Sequence, residues 1–186
     1  MRCMVCGALV LICLAPVLAR AQTATPGTPG RPAVDITKAD IEAAVKIGMA
    51  ALAPGNVSVS DRNIKLADSG AYNVAVAFVT RPATKVPSGR ALSHDKITEI
   101  YYVVRGRGTQ VTGPLADATR QEASTTIGPG FSSASPISGG RSTRLGPGEM
   151  QIIPPGVGHV WTEIAEDGID YMVIRIDPEH VLGLSK

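Results

Sequence analysis

The chain has 186 residues, 44% of them hydrophobic and 18% charged, with a formal net charge of +2. That length can bury one real core. The near-even charge balance gives no support for nucleic-acid binding or for adhesion to an anionic membrane.

The N-terminus comes first. Met1-Arg2 supplies a positive start, Met4 to Leu18 is almost wholly apolar, and Ala19-Arg20-Ala21 is a small-x-small cleavage pattern. Residues 1–21 therefore read as a secretory signal peptide. A retained anchor is the alternative, although the run sits at the short limit of roughly 17 residues for spanning a bilayer. A lipoprotein is disfavoured, because Leu11-Ile12 before Cys13 lack the small residue expected beside a lipidated cysteine. Cleavage after Ala21 removes Cys3, Cys6 and Cys13, all the cysteines, and leaves a periplasmic or secreted protein with neither disulfide nor thiolate ligand. It also takes Arg2 and Arg20 from the 18 basic residues, which then equal the 16 acidic ones. No stable membrane insertion is expected after cleavage.

Residues 22–34, rich in Thr, Pro and Gly, read as a disordered tether. Residues 35–59 should hold a helix and its connection. Thr37-x-x-Asp40 resembles a capping box, and Ile41, Val45, Met49 and Leu52 recur near helical spacing before Ala53-Pro54-Gly55 stops the pattern. Asn56-Val57-Ser58 fits a glycosylation sequon, a weak signal at that length.

Residues 60–178 then change texture. Tyr72–Val79, Glu99–Val104, Gly108–Thr112, Met150–Ile153, His159–Ile164 and Ile169–Ile176 are rich in strand formers. Gly and Pro punctuate the gaps, and Arg105-Gly106-Arg107-Gly108 reads as a hairpin turn. Many short strands favour an all-β barrel or sandwich over a βαβ fold, with the helix packed outside. Residues 114–147 break the rhythm, being rich in Gly, Ser and Pro; they read either as a lid over the barrel mouth or as an insertion without a role. Residues 179–186 form a tail in which His180 is expected at the surface. Gly106-Arg107-Gly108 does not extend to a phosphate-binding loop, and no internal repeat is visible.

Three residues form the candidate centre. Strand alternation puts His159, Trp161 and Glu163 on one face, and Glu99, Tyr101 and Val103 on another. His94 lies an odd number of residues from Glu99, so the two converge only if a bulge or turn intervenes around Asp95 to Ile97. The packing alternative is a hydrogen-bonded core histidine and a glutamate paired with a basic side chain.

At these residues the sequence resembles the cupin superfamily. The second cupin motif, G-x5-P-x-G-x2-H-x3-N, is met by Gly148, Pro154, Gly156 and His159, with Glu163 in place of the final Asn. The first, G-x5-H-x-H-x3,4-E-x6-G, is met by His94, Glu99 and Gly106; its first histidine falls at Leu92 and its opening glycine at Val86. The resemblance implies a jelly-roll β-barrel and a divalent metal on His94, Glu99 and His159, with the fourth ligand lost at Leu92. Such a two-His, one-carboxylate set accepts Fe, Mn, Ni, Co or Zn. Within this reading Glu163 is a candidate general base and Tyr101 a candidate proton donor, while Trp161, Leu92 and Gln151 are pocket candidates. For Tyr101 and Trp161 the core reading is preferred. The resemblance permits dioxygenase, isomerase, decarboxylase or lyase chemistry on a small molecule, and fold alone does not choose. The competing reading is a non-catalytic small-ligand-binding cupin with a degenerate or empty metal site. Cupins are commonly dimers, so a homodimer is also implied.

Overall fold

The computed structural model describes residues 31–52 and 58–185. The signal peptide, most of the tether, the helix stop at 53–55 and the first two sequon residues lie outside the described residues. One helix, α1 (Lys38–Leu52), precedes nine strands: β1 (Ser60–Asp68), β2 (Asn73–Arg81), β3 (Ala91–His94), β4 (Thr98–Gly113), β5 (Thr119–Arg120), β6 (Gly130–Ser133), β7 (Arg141–Leu145), β8 (Met150–Ile153) and β9 (Gly158–Asp177).

The capping box forms at α1. The Thr37 backbone N–H donates to the Asp40 carboxylate at 2.8 Å, and the Asp40 N–H donates back to Thr37 Oγ1 at 3.2 Å. The helix packs on β1 and β2 through its small residues, Ala44 and Gly48, with Ile41, Val45 and Leu52 half-buried. Met49, expected on the packed stripe, is 52% exposed. A β-carbon on Gly48 would lie 3.1 Å from Ser60 Oγ, so the close approach there fixes which helix face turns inward.

The spine of the fold is an antiparallel ribbon of β4 and β9, paired from Thr98↔Ile176 to Gly113↔Gly158. Their lengths, 16 and 20 residues, exceed a usual strand, and the ribbon contains register shifts at Val103/Arg105 and Gly106/Gly108. Past the shifts the ribbon acquires different neighbours. Its first part takes β8 on the β4 edge and β2 then β1 on the β9 edge; its second takes β7 on β4 and β3, β6 and β5 beyond β9. The expected hairpin at Arg105–Gly108 is therefore corrected: these residues form a bend inside one strand. Gly106 has φ +73°, and a β-carbon there would lie 1.9 Å from the Gly168 carbonyl oxygen, so the crossing backbones require glycine.

Among the described residues the fold is mostly strand with one helix, a cupin-type jelly roll. The sheet is not closed into the expected barrel, because the strand order ends at β1 and β5 without pairing between them. Inside lie Ala77, Val79, Tyr101, Val103, Leu145, Ile153, Trp161, Ile164, Ile169, Tyr171 and Val173. The 114–147 stretch is not a plain insertion either. It carries β5, β6 and β7, and β6 pairs along β3 from Ala91↔Ser133 to His94↔Gly130. The tail is anchored by the Asp177 carboxylate, which accepts from the Val181 and Leu182 N–H groups. His180 is exposed, as expected.

Candidate metal centre

His94 ends β3, and the chain bends at Asp95-Lys96 before Glu99 enters β4. That bend supplies the change of face that the odd spacing demands. His159 enters from the start of β9, directly opposite Leu92 in register. The Pro154-Pro155-Gly156 turn delivers it: the Gly156 N–H donates to the His94 carbonyl at 2.8 Å, joining the two motif segments through backbone. Gly156 sits at φ +79°, the conformation such a turn needs.

His94 Nε2 lies 3.4 Å and His159 Nε2 3.5 Å from the same Glu99 oxygen, Oε2. The three side chains are 6%, 6% and 1% exposed, and their ligand atoms all fall within 4.8 Å of one another. His159 Nδ1 lies 3.2 Å from the Val157 carbonyl, which can only accept, so Nδ1 carries the proton and Nε2 presents its lone pair to the carboxylate. Burial, working against the attraction of Glu99, pushes the His159 pKa down to about 4, so the ring is neutral near pH 7. A neutral imidazole lone pair facing a carboxylate oxygen places two acceptors together, and a cation between them resolves that conflict. The donor set thus fits a divalent ion.

The other carboxylate oxygen is already committed. Arg175 Nε donates to Glu99 Oε1 at 2.9 Å, and its terminal nitrogens hold Asp61 at 2.5 and 3.0 Å and Asn63 Oδ1 at 2.7 Å. Burial alone would raise the Glu99 pKa. The facing His94 and the Arg175 guanidinium overcome burial and hold it well below the usual value. Asn63 in turn donates to the Thr126 and Gly183 carbonyls, each at 2.9 Å, which ties the 124–126 segment over the site. Tyr101 Oη donates to Glu99 Oε2 at 3.1 Å. Burial first, and the Glu99 charge second, raise its pKa well above that of an ordinary phenol.

These groups line a cavity of about 280 Å³ that includes Leu92, His94, Glu99, Tyr101, His159, Asp61, Arg81, Tyr171, Ser124 and Thr126. A larger cleft, about 310 Å³ along Met49 and Leu52, holds neither histidine. Of the residues expected from sequence, the three ligands, Tyr101 and Leu92 meet here. Trp161 is 2% exposed and belongs to the core behind the cavity, its ring 6.5 Å from Tyr101 and 5.5 Å from Tyr171. Gln151 is half-buried on β8 and does not line the cavity. Glu163 is exposed, which corrects its placement beside His159. The cause is a bulge: Gln110 faces Trp161 but Thr109 faces Glu163, so Thr162 is extra and the alternation inverts to bury Ile164. Arg175, Asp61 and Arg81 were missed. A signal existed for two of them, since Ile169, Tyr171, Val173 and Arg175 share one parity, as do Ala75, Ala77, Val79 and Arg81.

No family model matches this chain, and no curated protein matches it. Solved structures align at low identity. A Bacillus halodurans protein, BH2720, aligns at 14% identity over 82% of this chain and 87% of its own, with a TM-score of 0.48. KdgF from Halomonas sp. aligns at 15% over 66% and 82%, with a TM-score of 0.41. The DMSP lyase DddQ from Ruegeria pomeroyi DSS-3 aligns at 19% over 55% of this chain and 37% of its own, with a TM-score of 0.36. These are similarities of chain path and assign no substrate. The bent ribbon, the two neighbour sets it gathers and the buried two-His, one-Glu cluster at its end give this chain a cupin-type fold.

Proposed function

We propose that this chain is an exported cupin-type protein that holds one divalent metal through His94, Glu99 and His159 and acts on a small molecule in the adjoining cavity. The observation that carries this reading is the convergence of two imidazole Nε2 atoms on one oxygen of a buried glutamate, the oxygen that Arg175 does not hold. The donor types accommodate Fe, Mn, Ni, Co or Zn without choosing among them. When bound, such an ion supplies Lewis acidity to a coordinated substrate oxygen. The chain's own residues set the frame: Arg175 orients Glu99, the Val157 carbonyl fixes the His159 tautomer, and Leu92 closes with hydrocarbon the side where a fourth ligand would stand. Tyr101 acts as a positioning residue for Glu99 rather than as the proton donor, because releasing its proton would place an anion beside that carboxylate.

Metal content tests the proposal. Mature protein exposed to Fe²⁺, Mn²⁺, Ni²⁺ and Zn²⁺ should retain about one ion per chain by elemental analysis, consistent with one three-ligand site. His94→Ala and His159→Ala should each lose it. Retention equal in parent and variants, or sub-stoichiometric metal in the parent, would overturn the assignment. A second reading, a non-catalytic binding cupin, is favoured by Leu92 at the missing ligand position; metal-loaded protein that binds ligands but shows no turnover or oxygen uptake across a substrate panel would establish it.

Export belongs to the same proposal, and the mass of the mature chain after secretion tests cleavage near Ala21. No described helix is long and apolar enough to cross a membrane. A homodimer is part of the reading as well. Tyr102, Val104, Met150 and Ile152 are 40–66% exposed together on β4 and β8. Light scattering should report twice the chain mass, and a monomer would remove this part of the proposal.

A further inference from the structure

The cavity carries a second polar feature that the metal ligands do not use. Arg81, the last residue of β2, shares its strand face with Ala77 and Val79; it lines the same cavity as His94, Glu99 and His159 and also borders the cleft along Met49 and Leu52. Its Nε donates to Tyr171 Oη at 2.9 Å, and one terminal nitrogen, Nη1, donates to the Ser88 hydroxyl at 3.1 Å and the Ser88 carbonyl at 3.3 Å. Among the described residues no group accepts from Nη2, and no carboxylate pairs with this guanidinium. Asp61, the acidic group of the cavity outside the ligand set, is taken by Arg175 on both oxygens. Tyr171 Oη receives Arg81 Nε and also Trp161 Nε1 at 3.3 Å, and among the described residues no group accepts its own O–H proton. An inward-facing guanidinium without a counter-ion is costly to maintain unless something else answers it.

The charge of the cavity points the same way. Asp61 and Glu99 balance Arg81 and Arg175, so a divalent ion on the ligand set leaves two uncompensated positive charges at this cavity. We infer that Arg81 Nη2 and the Tyr171 hydroxyl form a carboxylate subsite, so that the ligand is a small carboxylic acid with a second oxygen function directed at the metal centre. A carboxylate fits better than a phosphate ester. One guanidinium edge and one hydroxyl match two acceptor oxygens, and among the described residues lining the cavity no second cation without a carboxylate partner is present to take a dianion. Tyr171 and Tyr101, rings 4.8 Å apart, form the wall between the two ends, and Tyr101 in turn reaches Glu99. Ser124 and Thr126 offer further hydroxyls at the rim.

This inference rests on the metal reading for the second contact but not for the first, and the test separates them. Isothermal titration of Co²⁺-loaded protein with succinate, succinamide and glycerol phosphate compares an acid with its neutral isostere and with a phosphate ester. Succinate should bind at least about tenfold tighter than succinamide, the usual scale for a charge-assisted contact. Arg81→Met should remove that preference while leaving Co²⁺ affinity within about twofold, and Arg81→Lys should restore part of it, since a point charge replaces the fork. Because the comparison of succinate with succinamide uses the unaltered chain, it stands even if Arg81→Met folds poorly. If neither Co²⁺ nor any of Fe²⁺, Mn²⁺, Ni²⁺ and Zn²⁺ binds, the metal reading fails; succinate is then titrated into the metal-free protein, where an Arg81-dependent preference over succinamide still supports the subsite. Equal affinity for succinate and succinamide, or a preference untouched by Arg81→Met, overturns it. Tighter binding of glycerol phosphate overturns the assignment to carboxylic acids.

Discussion

Arg175 is the side chain on which most of the site depends. It is 1% exposed on its side chain and pairs with both Glu99 and Asp61, so its removal would leave two carboxylates facing each other without a counter-charge. Breaking a buried pair by deleting one partner costs about 3–5 kcal/mol, because the remaining charge stays desolvated. Arg175→Met in metal-free protein should lose stability on that scale in urea unfolding at pH 7, and a change under about 1 kcal/mol would contradict the role given to it. Glu163→Gln is the contrast: exposed and outside the cavity, it should alter stability by no more than about 0.5 kcal/mol and leave metal content unchanged. Both outcomes bear on what the sequence could reveal. Strand parity puts Arg175 on the inner face beside Val173 and Tyr171, so a charged residue inside the fold is legible in the alternation of that strand. The same parity misplaced Glu163, because one extra residue at Thr162 inverts the alternation and no composition signal marks that bulge. Titration gives a further check at this scale. Burial raises the Tyr171 pKa above that of an ordinary phenol, about 10, so the folded state holds a proton that the unfolded chain releases. The corresponding stability is complete below about pH 10 and is lost as pH rises through the folded value. Unfolding free energy should fall above pH 10, and Tyr171→Phe should flatten that fall; an unchanged slope would show that Tyr171 is not the group responsible.

The β4–β9 ribbon sets the architecture at the level of elements, and its bend is a steric requirement where Gly106 crosses Gly168; Gly148, outside the ribbon, is the contrast. Gly106 and Gly148 share nearly the same positive φ, +73° and +84°, but differ in surroundings. A β-carbon on Gly106 meets the Gly168 carbonyl oxygen at 1.9 Å, whereas nothing lies within 4 Å of one on Gly148. Left-handed strain costs an alanine of the order of 1–3 kcal/mol, and a backbone clash adds to it. Gly148→Ala should therefore cost about 1 kcal/mol in chemical denaturation, and Gly106→Ala clearly more, beyond about 2 kcal/mol; equal costs would mean that the ribbon bends without help from the close crossing. This contrast also explains why Arg105-Gly106-Arg107-Gly108 reads as a hairpin. Local turn chemistry is the same in a hairpin and in a strand that bends around a crossing partner, and the partner, Gly168, lies 62 residues away. The 114–147 stretch is opaque for a related reason. Gly130-Phe131-Ser132-Ser133 has little strand propensity of its own, and its pairing with Ala91–His94 supplies the extended form. That pairing makes part of the stretch a support for His94 rather than a removable lid.

For the molecule as a whole, metal binding and folding are one equilibrium. His94, Glu99 and His159 come from β3, β4 and β9, separated by up to 65 residues of chain, so the unfolded state cannot assemble the set. An ion bound only by the folded state adds RT ln(1 + [L]/Kd), about 2.7 kcal/mol at a hundredfold excess over Kd. For a domain of this size each kcal/mol moves the melting temperature by about 2–4 °C, which places the expected rise near 5–10 °C. Scanning calorimetry of the mature protein with and without saturating Zn²⁺ should show that rise, and chelation should reverse it. Glu99→Gln separates the ligand from the scaffold. It removes the charge that both Arg175 and the ion require, so its metal-free form should already melt lower than the parent, and added Zn²⁺ should move it by less than about 2 °C. A full rise in Glu99→Gln would mean that the ion binds elsewhere. No rise in the parent, with metal shown to be bound, would mean that the unfolded chain competes for it equally. That outcome conflicts with a site whose ligands come together only when the ribbon bends.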